Sequence, residues 1–209
     1  MIELIDNSVQ LAVLTVCCIY SAIRSIRRND HVWFLLTCFY GAYALGLVYW
    51  LLFIVFHSKT PSISPVSDLS WMASVLFILV MQNTLRLPGE STYRPILAWT
   101  APVFSTVMCF FFFHWGDYFL NVLWAALMGA CGYQALRGLL WARRQSNGMN
   151  SSLYFHITVL TFLLVEYSLW LASCFWKTES LLNPYYWFDF LMSATFFTFL
   201  PSVKKVVTE

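Results

Sequence analysis

The chain has 209 residues, of which 60% are hydrophobic and only 11% are charged. A soluble domain carries about 25% charged residues, so this composition excludes an ordinary soluble fold and predicts an all-α polytopic membrane protein. The sequence lacks the short segments of alternating polarity that outer-membrane barrels need. The net charge of +2 is too small to indicate a nucleic-acid partner.

Seven apolar segments are long enough to serve as transmembrane helices, each of which needs about 20 residues. In chain order they cover 8–26, 32–56, 66–86, 95–114, 118–142, 152–176 and 184–203. The first is predicted to be a retained helix, because the acidic start MIELIDNS lacks the basic region of a signal peptide. All six cysteines lie in these segments without a C-x-x-C motif, which is typical of packing residues.

Lysine and arginine are distributed unevenly between the two sides of the predicted membrane. Ten of the twelve lie in the first, third and fifth loops or after the last span. Only Lys59 and Lys177 lie on the other side. Because cytoplasmic loops carry the excess of positive charge, the pattern predicts an N-terminus outside and a C-terminus in the cytoplasm.

An internal repeat relates the first three segments to the last three. CIYSAIRSI at 18–26 matches CGYQALRGL at 131–139 in cysteine, tyrosine, alanine and arginine. Further aligned pairs are Trp50 with Trp170 and Asp68 with Asp189. One extra span between the halves gives them the same orientation, which is a parallel repeat. The single membrane domain is therefore divided into repeat 1 at 8–86, a linker helix at 95–114 and repeat 2 at 118–203.

Three acidic residues near or inside the segments are candidates for a site, because ionisable residues in a membrane are costly and rare. Glu166 lies near the middle of its segment, and Asp189 lies beyond the first turn in which a helix dipole stabilises an acid. Both are predicted to face inward, where they either bind a ligand or, when protonated, hydrogen-bond another helix. Asp68 is shallower: a helix that starts with Ser64 as cap and Pro65 in the first position places it in the first turn, where the helix dipole favours an acid.

Aromatic residues concentrate around these acids in the outer half, and most of them are typical of an interfacial belt. A subset that faces inward would form a cup for a cationic or aromatic ligand through cation–π contacts and charge pairing. The predicted ligand-binding residues are Asp189, Glu166, Asp68, Trp50, Trp170 and Tyr186. The sequence contains no catalytic motif, metal-ligand spacing or phosphate-binding loop, so it predicts neither an enzyme nor a cofactor.

Residues 31–86 resemble part of the seven-helix sensory modules at the N-termini of some bacterial histidine kinases and diguanylate cyclases. The resemblance rests on Trp33, Gly46, Trp50, Pro61, Pro65 and Asp68. It implies a sensor in the bacterial cytoplasmic membrane that binds a small molecule or lipid and signals to a cytoplasmic partner. The sequence departs from those proteins by ending soon after the seventh segment, without a kinase or cyclase domain.

Two other functions fit the same sequence. The plan of three helices, a linker helix and three helices also resembles small transporters of the SWEET and PnuC type, which implies transport of a small solute. Such transport needs hinges in paired helices, and the first and fifth segments contain no proline. A structural membrane subunit without a ligand is the third possibility. The sequence does not indicate an oligomeric state.

Overall fold

The computed structural model describes residues 2–61, 64–145 and 151–208, and these residues form helices and short connections without strands. The long helices are α1 (Ile2–Arg28), α2 (His31–His57), α3 (Pro65–Thr84), α4 (Thr100–Phe112), α5 (Tyr118–Gln145), α6 (Ser151–Phe175) and α7 (Pro184–Thr208). All of them except α4 are long and apolar enough to cross a membrane. The chain therefore has the architecture of a helical integral membrane protein.

The fourth predicted span is shorter in the structure than the sequence predicts. A 3-10 turn at Ile96–Trp99 leads into α4, and together they form an apolar helix over Ile96–Phe112. At 1.5 Å per residue this helix is about 25 Å long, which is less than the hydrocarbon core of about 30 Å. The helix ends at Phe112, and Gly116 then turns the chain with a φ of 84°.

Six helices form a closed ring, and α4 lies outside it. Each helix packs against the next in the order α1, α2, α3, α5, α6 and α7, and α7 packs against α1 to close the ring. The helix α4 packs mainly on α5. The helices α2 and α6 end, and α3 and α7 begin, at one end of the ring, which we call the α2–α3 end. The ten clustered basic residues belong to the opposite end, which we call the arginine end.

Aromatic side chains fill the middle of the ring. Phe39 of α2 contacts Phe162 of α6 and Phe199 of α7, with ring centroids 5.7 Å and 5.1 Å apart. These three rings, together with Tyr40 and Phe196, are fully buried. This close-packed layer separates the two ends of the ring from each other.

The predicted helix starts near Asp68 and Asp189 occur at the expected residues, but only one has a side-chain cap. The helix α7 begins at Pro184, and Asn183 Oδ1 accepts a hydrogen bond from the Tyr185 N–H at 3.0 Å. The helix α3 begins at Pro65, as predicted. Its Ser64 hydroxyl makes no cap hydrogen bond and instead donates to Asp68 Oδ2 at 3.3 Å.

We expect the variant Tyr40→Phe to lower the stability of the ring by about 1 kcal/mol, the net value of a typical buried hydrogen bond. Tyr40 Oη donates to the backbone carbonyl of Phe196 at 2.7 Å and thereby joins α2 to α7. The check is the melting temperature in detergent, with Tyr118→Phe as control because Tyr118 is exposed. Equal melting temperatures for Tyr40→Phe and the wild type would contradict this role.

Candidate functional site

A cavity of about 490 Å³ opens at the α2–α3 end of the ring. Its volume lies in the range of about 300–1,000 Å³ that is typical of small-molecule sites. Five of the six residues predicted from the sequence line it, and they are Asp189, Glu166, Trp50, Trp170 and Tyr186. They come from α2, α6 and α7, so the fold brings together residues from both halves of the chain.

Asp189 is held in the cavity wall by α1. Its carboxyl group is 3% exposed, although it lies on the second turn of α7. The side-chain amide of Gln10 donates a hydrogen bond to Asp189 Oδ1. The carboxyl of Asp6, one turn before Gln10 on α1, is also buried and lies next to that of Asp189. Within the described ranges, neither carboxyl pairs with a lysine or an arginine.

Glu166 is the deepest acid in the cavity. It lies nine residues before the end of α6 at Phe175, which is about 14 Å along the helix, and it is 2% exposed. The hydroxyl of Tyr43 on α2 donates to Glu166 Oε2 at 3.4 Å, which is a long hydrogen bond. The carboxylate therefore has little compensation from the protein for the water that it has lost.

The charges that line the cavity are predominantly negative. Four carboxyl-bearing residues, Glu3, Glu166, Glu179 and Asp189, face one basic residue, Lys177. Glu3 Oε1 accepts a hydrogen bond from the indole N–H of Trp50 at 3.1 Å, which ties the start of α1 to the end of α2. The exposed Lys177 ammonium donates to the backbone carbonyl of Ser173 in the last turn of α6. The electrostatic character of the site thus favours a positively charged occupant.

Seven aromatic side chains complete the wall, and they are Tyr43, Trp50, Trp71, Trp170, Trp176, Tyr185 and Tyr186. Trp50 and Trp71 lie with ring centroids 6.0 Å apart. Gly46 makes room for this arrangement, because a Cβ atom there would lie 2.5 Å from Trp71 Nε1. Aromatic faces attract cations through their quadrupole, so the rings and the acids favour the same class of ligand.

Asp68, the sixth predicted residue, lies outside the cavity lining. It is half-buried in the first turn of α3, where its backbone N–H bonds to Ser64 and its carboxylate accepts the Ser64 hydroxyl. Its surroundings match the prediction of a first-turn acid. The cavity wall on α3 is instead formed by Trp71, which is about one turn further along the helix.

The main residues that the sequence prediction missed are Asp6, Asn7 and Gln10 on α1. All three are buried, and Asn7 and Gln10 line the cavity. The signal was present, because positions i, i+1 and i+4 lie on one face of a helix. The predicted first span begins at residue 8, so Asp6 and Asn7 fall outside it, and a single polar residue inside it, Gln10, does not by itself indicate a site.

Under the predicted repeat, the polar face of α1 has no counterpart on α5. At the repeat offset that aligns CIYSAIRSI with CGYQALRGL, the positions that correspond to Asp6, Asn7 and Gln10 are the apolar residues Phe119, Leu120 and Leu123. The contact that Gln10 makes with Asp189 therefore cannot form between α5 and Asp68. The sequence itself thus limits the buried acidic cluster to one side of the ring.

Comparison of the chain with protein-family models, with curated proteins and with solved structures finds no match.

Proposed function

We propose that this chain is a receptor-like membrane protein that binds a small organic cation in the cavity at its α2–α3 end. The observation that supports this proposal is the lining, in which four carboxyl groups and seven aromatic rings accompany one lysine. A cation there would satisfy buried carboxylates such as Glu166, which have few partners in the protein. It would also lie against aromatic faces, where desolvated cation–π contacts contribute about 2 kcal/mol.

In this proposal the cavity faces the outside of a bacterial cytoplasmic membrane. The charge distribution supports that orientation, since ten of the twelve basic residues belong to the arginine end. The short apolar helix over Ile96–Phe112 is then a membrane segment too, which brings the total to seven, and it links the two halves. A ligand that draws α1, α6 and α7 together would change the packing of the ring, and a cytoplasmic partner would detect the change at the arginine end.

The ring order supports a parallel repeat of three helices on either side of α4. If α1, α2 and α3 correspond to α5, α6 and α7, then the contact between α1 and α7 corresponds to the contact between α5 and α3. Both contacts close the ring, as a pseudo-two-fold axis along the membrane normal requires. The apolar residues on α5 leave the polar cluster at the contact between α1 and α7, without an equivalent at the contact between α5 and α3.

The buried phenylalanine layer between the cavity and the arginine end favours sensing over transport. The buried rings of Phe39, Phe162, Phe196 and Phe199 close the centre of the ring below Glu166. Transport of a small cation is the second candidate, and the ring order of two matched halves supports it. Uptake of a labelled cation into proteoliposomes, driven by its gradient, would establish transport. Binding without uptake would establish the receptor-like function.

The proposal is tested by titrating the full chain in lipid nanodiscs with organic cations. The probes are 2-phenylethylamine, choline and phenyltrimethylammonium, with neutral 2-phenylethanol as control. Four tryptophans line the cavity, so we expect saturable quenching of intrinsic fluorescence by at least one cation and none by the alcohol. Failure of every cation at millimolar concentration would overturn the proposal and favour a structural subunit.

A further inference from the structure

We propose that the Asp6–Asp189 pair is a proton-binding site, and that an organic cation entering the cavity displaces its proton. This inference rests on the proposed cation-binding function and extends it. It makes cation binding an exchange, in which one positive charge enters the cavity and one leaves it. The total charge of the cavity is the same before and after.

The geometry of the two carboxyl groups supports the proton site. Both residues are 3% exposed, and their carboxyl groups lie next to each other across the interface of α1 and α7. Two adjacent buried carboxylates repel each other, and a proton on one of them removes that repulsion and supplies a hydrogen-bond donor. Gln10 donates to Asp189 Oδ1, whereas Asp6 Oδ2 is buried and receives no donor from any described residue.

Among the residues that the structure describes, the surroundings of the pair contain further acids and one basic residue, Lys177. The titratable groups that face it are Glu3 from α1, Tyr43 from α2, Glu166 from α6, Tyr185 and Tyr186 from α7, and Lys177 and Glu179 from the segment after α6. Lys177 is at the exposed mouth and donates to the Ser173 carbonyl. In the empty cavity a shared proton is therefore what keeps two buried carboxylates from repelling each other.

A cation beside Asp189 removes the need for that proton. Its charge stabilises both carboxylates, and that of Asp189, which lines the cavity, accepts a hydrogen bond from an ammonium or lies against a quaternary head. The proton leaves through the open mouth of the cavity to water. A lower pH favours the empty form that holds the proton. At pH values where the pair holds a proton, we therefore expect the affinity for phenyltrimethylammonium to fall about tenfold for each unit by which the pH is lowered. The charge of this quaternary probe does not change with pH.

Infrared difference spectroscopy of the full chain in nanodiscs tests the exchange. Ligand-free wild type at neutral pH should show the carbonyl stretching band of a protonated carboxylic acid. Saturating phenyltrimethylammonium should remove that band. The variant Asp6→Asn should lack it without ligand, because its amide can donate to an ionised Asp189. The control Asp68→Asn, altered outside the cavity, should retain it.

The other possible results distinguish a failure of the proton exchange from a failure of the proposed cation binding. The exchange is overturned, and cation binding left intact, if the wild-type spectrum shows no carboxylic-acid band that is lost in Asp6→Asn. The same holds if that band persists while the cation is bound. An affinity for phenyltrimethylammonium that is constant with pH would do the same. If no cation binds at all, the proposed function fails and the exchange fails with it, even if the band is present.

Discussion

The variant Asp189→Asn should bind phenyltrimethylammonium at least about 30-fold more weakly than the wild type. Removing one partner of a buried charge pair typically costs 2–5 kcal/mol, and 1.4 kcal/mol corresponds to a factor of ten in affinity. Asparagine keeps the shape of the side chain and an oxygen for the Gln10 amide, so the contact between α1 and α7 persists. The measurement is the dissociation constant from fluorescence titration in nanodiscs.

Asp68→Asn is the matched control for this prediction. Asp68 aligns with Asp189 in the predicted repeat and lies at the same end of the ring, but it does not line the cavity. We expect its dissociation constant to stay within a factor of two of the wild type. An equal loss in both variants would indicate a general effect of charge at this end of the ring. An unchanged affinity in Asp189→Asn would show that this acid does not bind the cation.

The long helices of this protein were predictable because each is a long apolar run with polar ends. The predicted limits 32–56 and 118–142 lie within three residues of α2 and α5 at both ends. Burial in the ring was less predictable, because it depends on contacts between residues far apart in the chain. The hydrogen bond between Gln10 and Asp189 joins positions 179 residues apart, and no local pattern indicates that α1 would pack against α7.

The aromatic residues show a second limit of sequence prediction. Tyr186 is 4% exposed and lines the cavity, whereas its neighbour Trp187 is 64% exposed on the outside of α7. Composition places both rings near the membrane interface, and only the rotation of α7 about its axis distinguishes them. That rotation is set by packing against α1 and α6, so an interfacial ring and a ligand-facing ring are alike in the sequence.

The arginine end contains a buried cluster that sequence reasoning interpreted only as a topology signal. Arg137 of α5 forms an ion pair with Glu90 at 3.5 Å, and both side chains are buried. Glu90 lies in the connection between α3 and α4, which folds back against α5 and places Gly89 against Trp141. His156 of α6 packs beside this cluster and is 2% exposed. The arginine end thus has its own tightly packed core.

Within this core, Gly138→Ala should destabilise the protein, by up to about 2 kcal/mol net when the core adjusts and by more when it does not. A Cβ atom at position 138 would lie 2.1 Å from His156 Nε2 and 2.2 Å from Cε1. The imidazole is buried and has little room to move, and overpacking of a filled core costs about 1–3 kcal/mol, occasionally more. The gain of about 1 kcal/mol in helix propensity is smaller than this cost. The check is the melting temperature in detergent.

Gly41→Ala provides a control with the opposite expected sign. A Cβ atom at this glycine in α2 would meet Cys18 Sγ at an ordinary 3.8 Å, so the helix propensity should dominate and leave stability unchanged or raised. A double-mutant cycle then isolates the clash. In a His156→Ala background the space beside Gly138 is open, and Gly138→Ala should no longer destabilise. If Gly138→Ala still destabilises the protein in the His156→Ala background, the clash with the imidazole is not the cause of the lost stability.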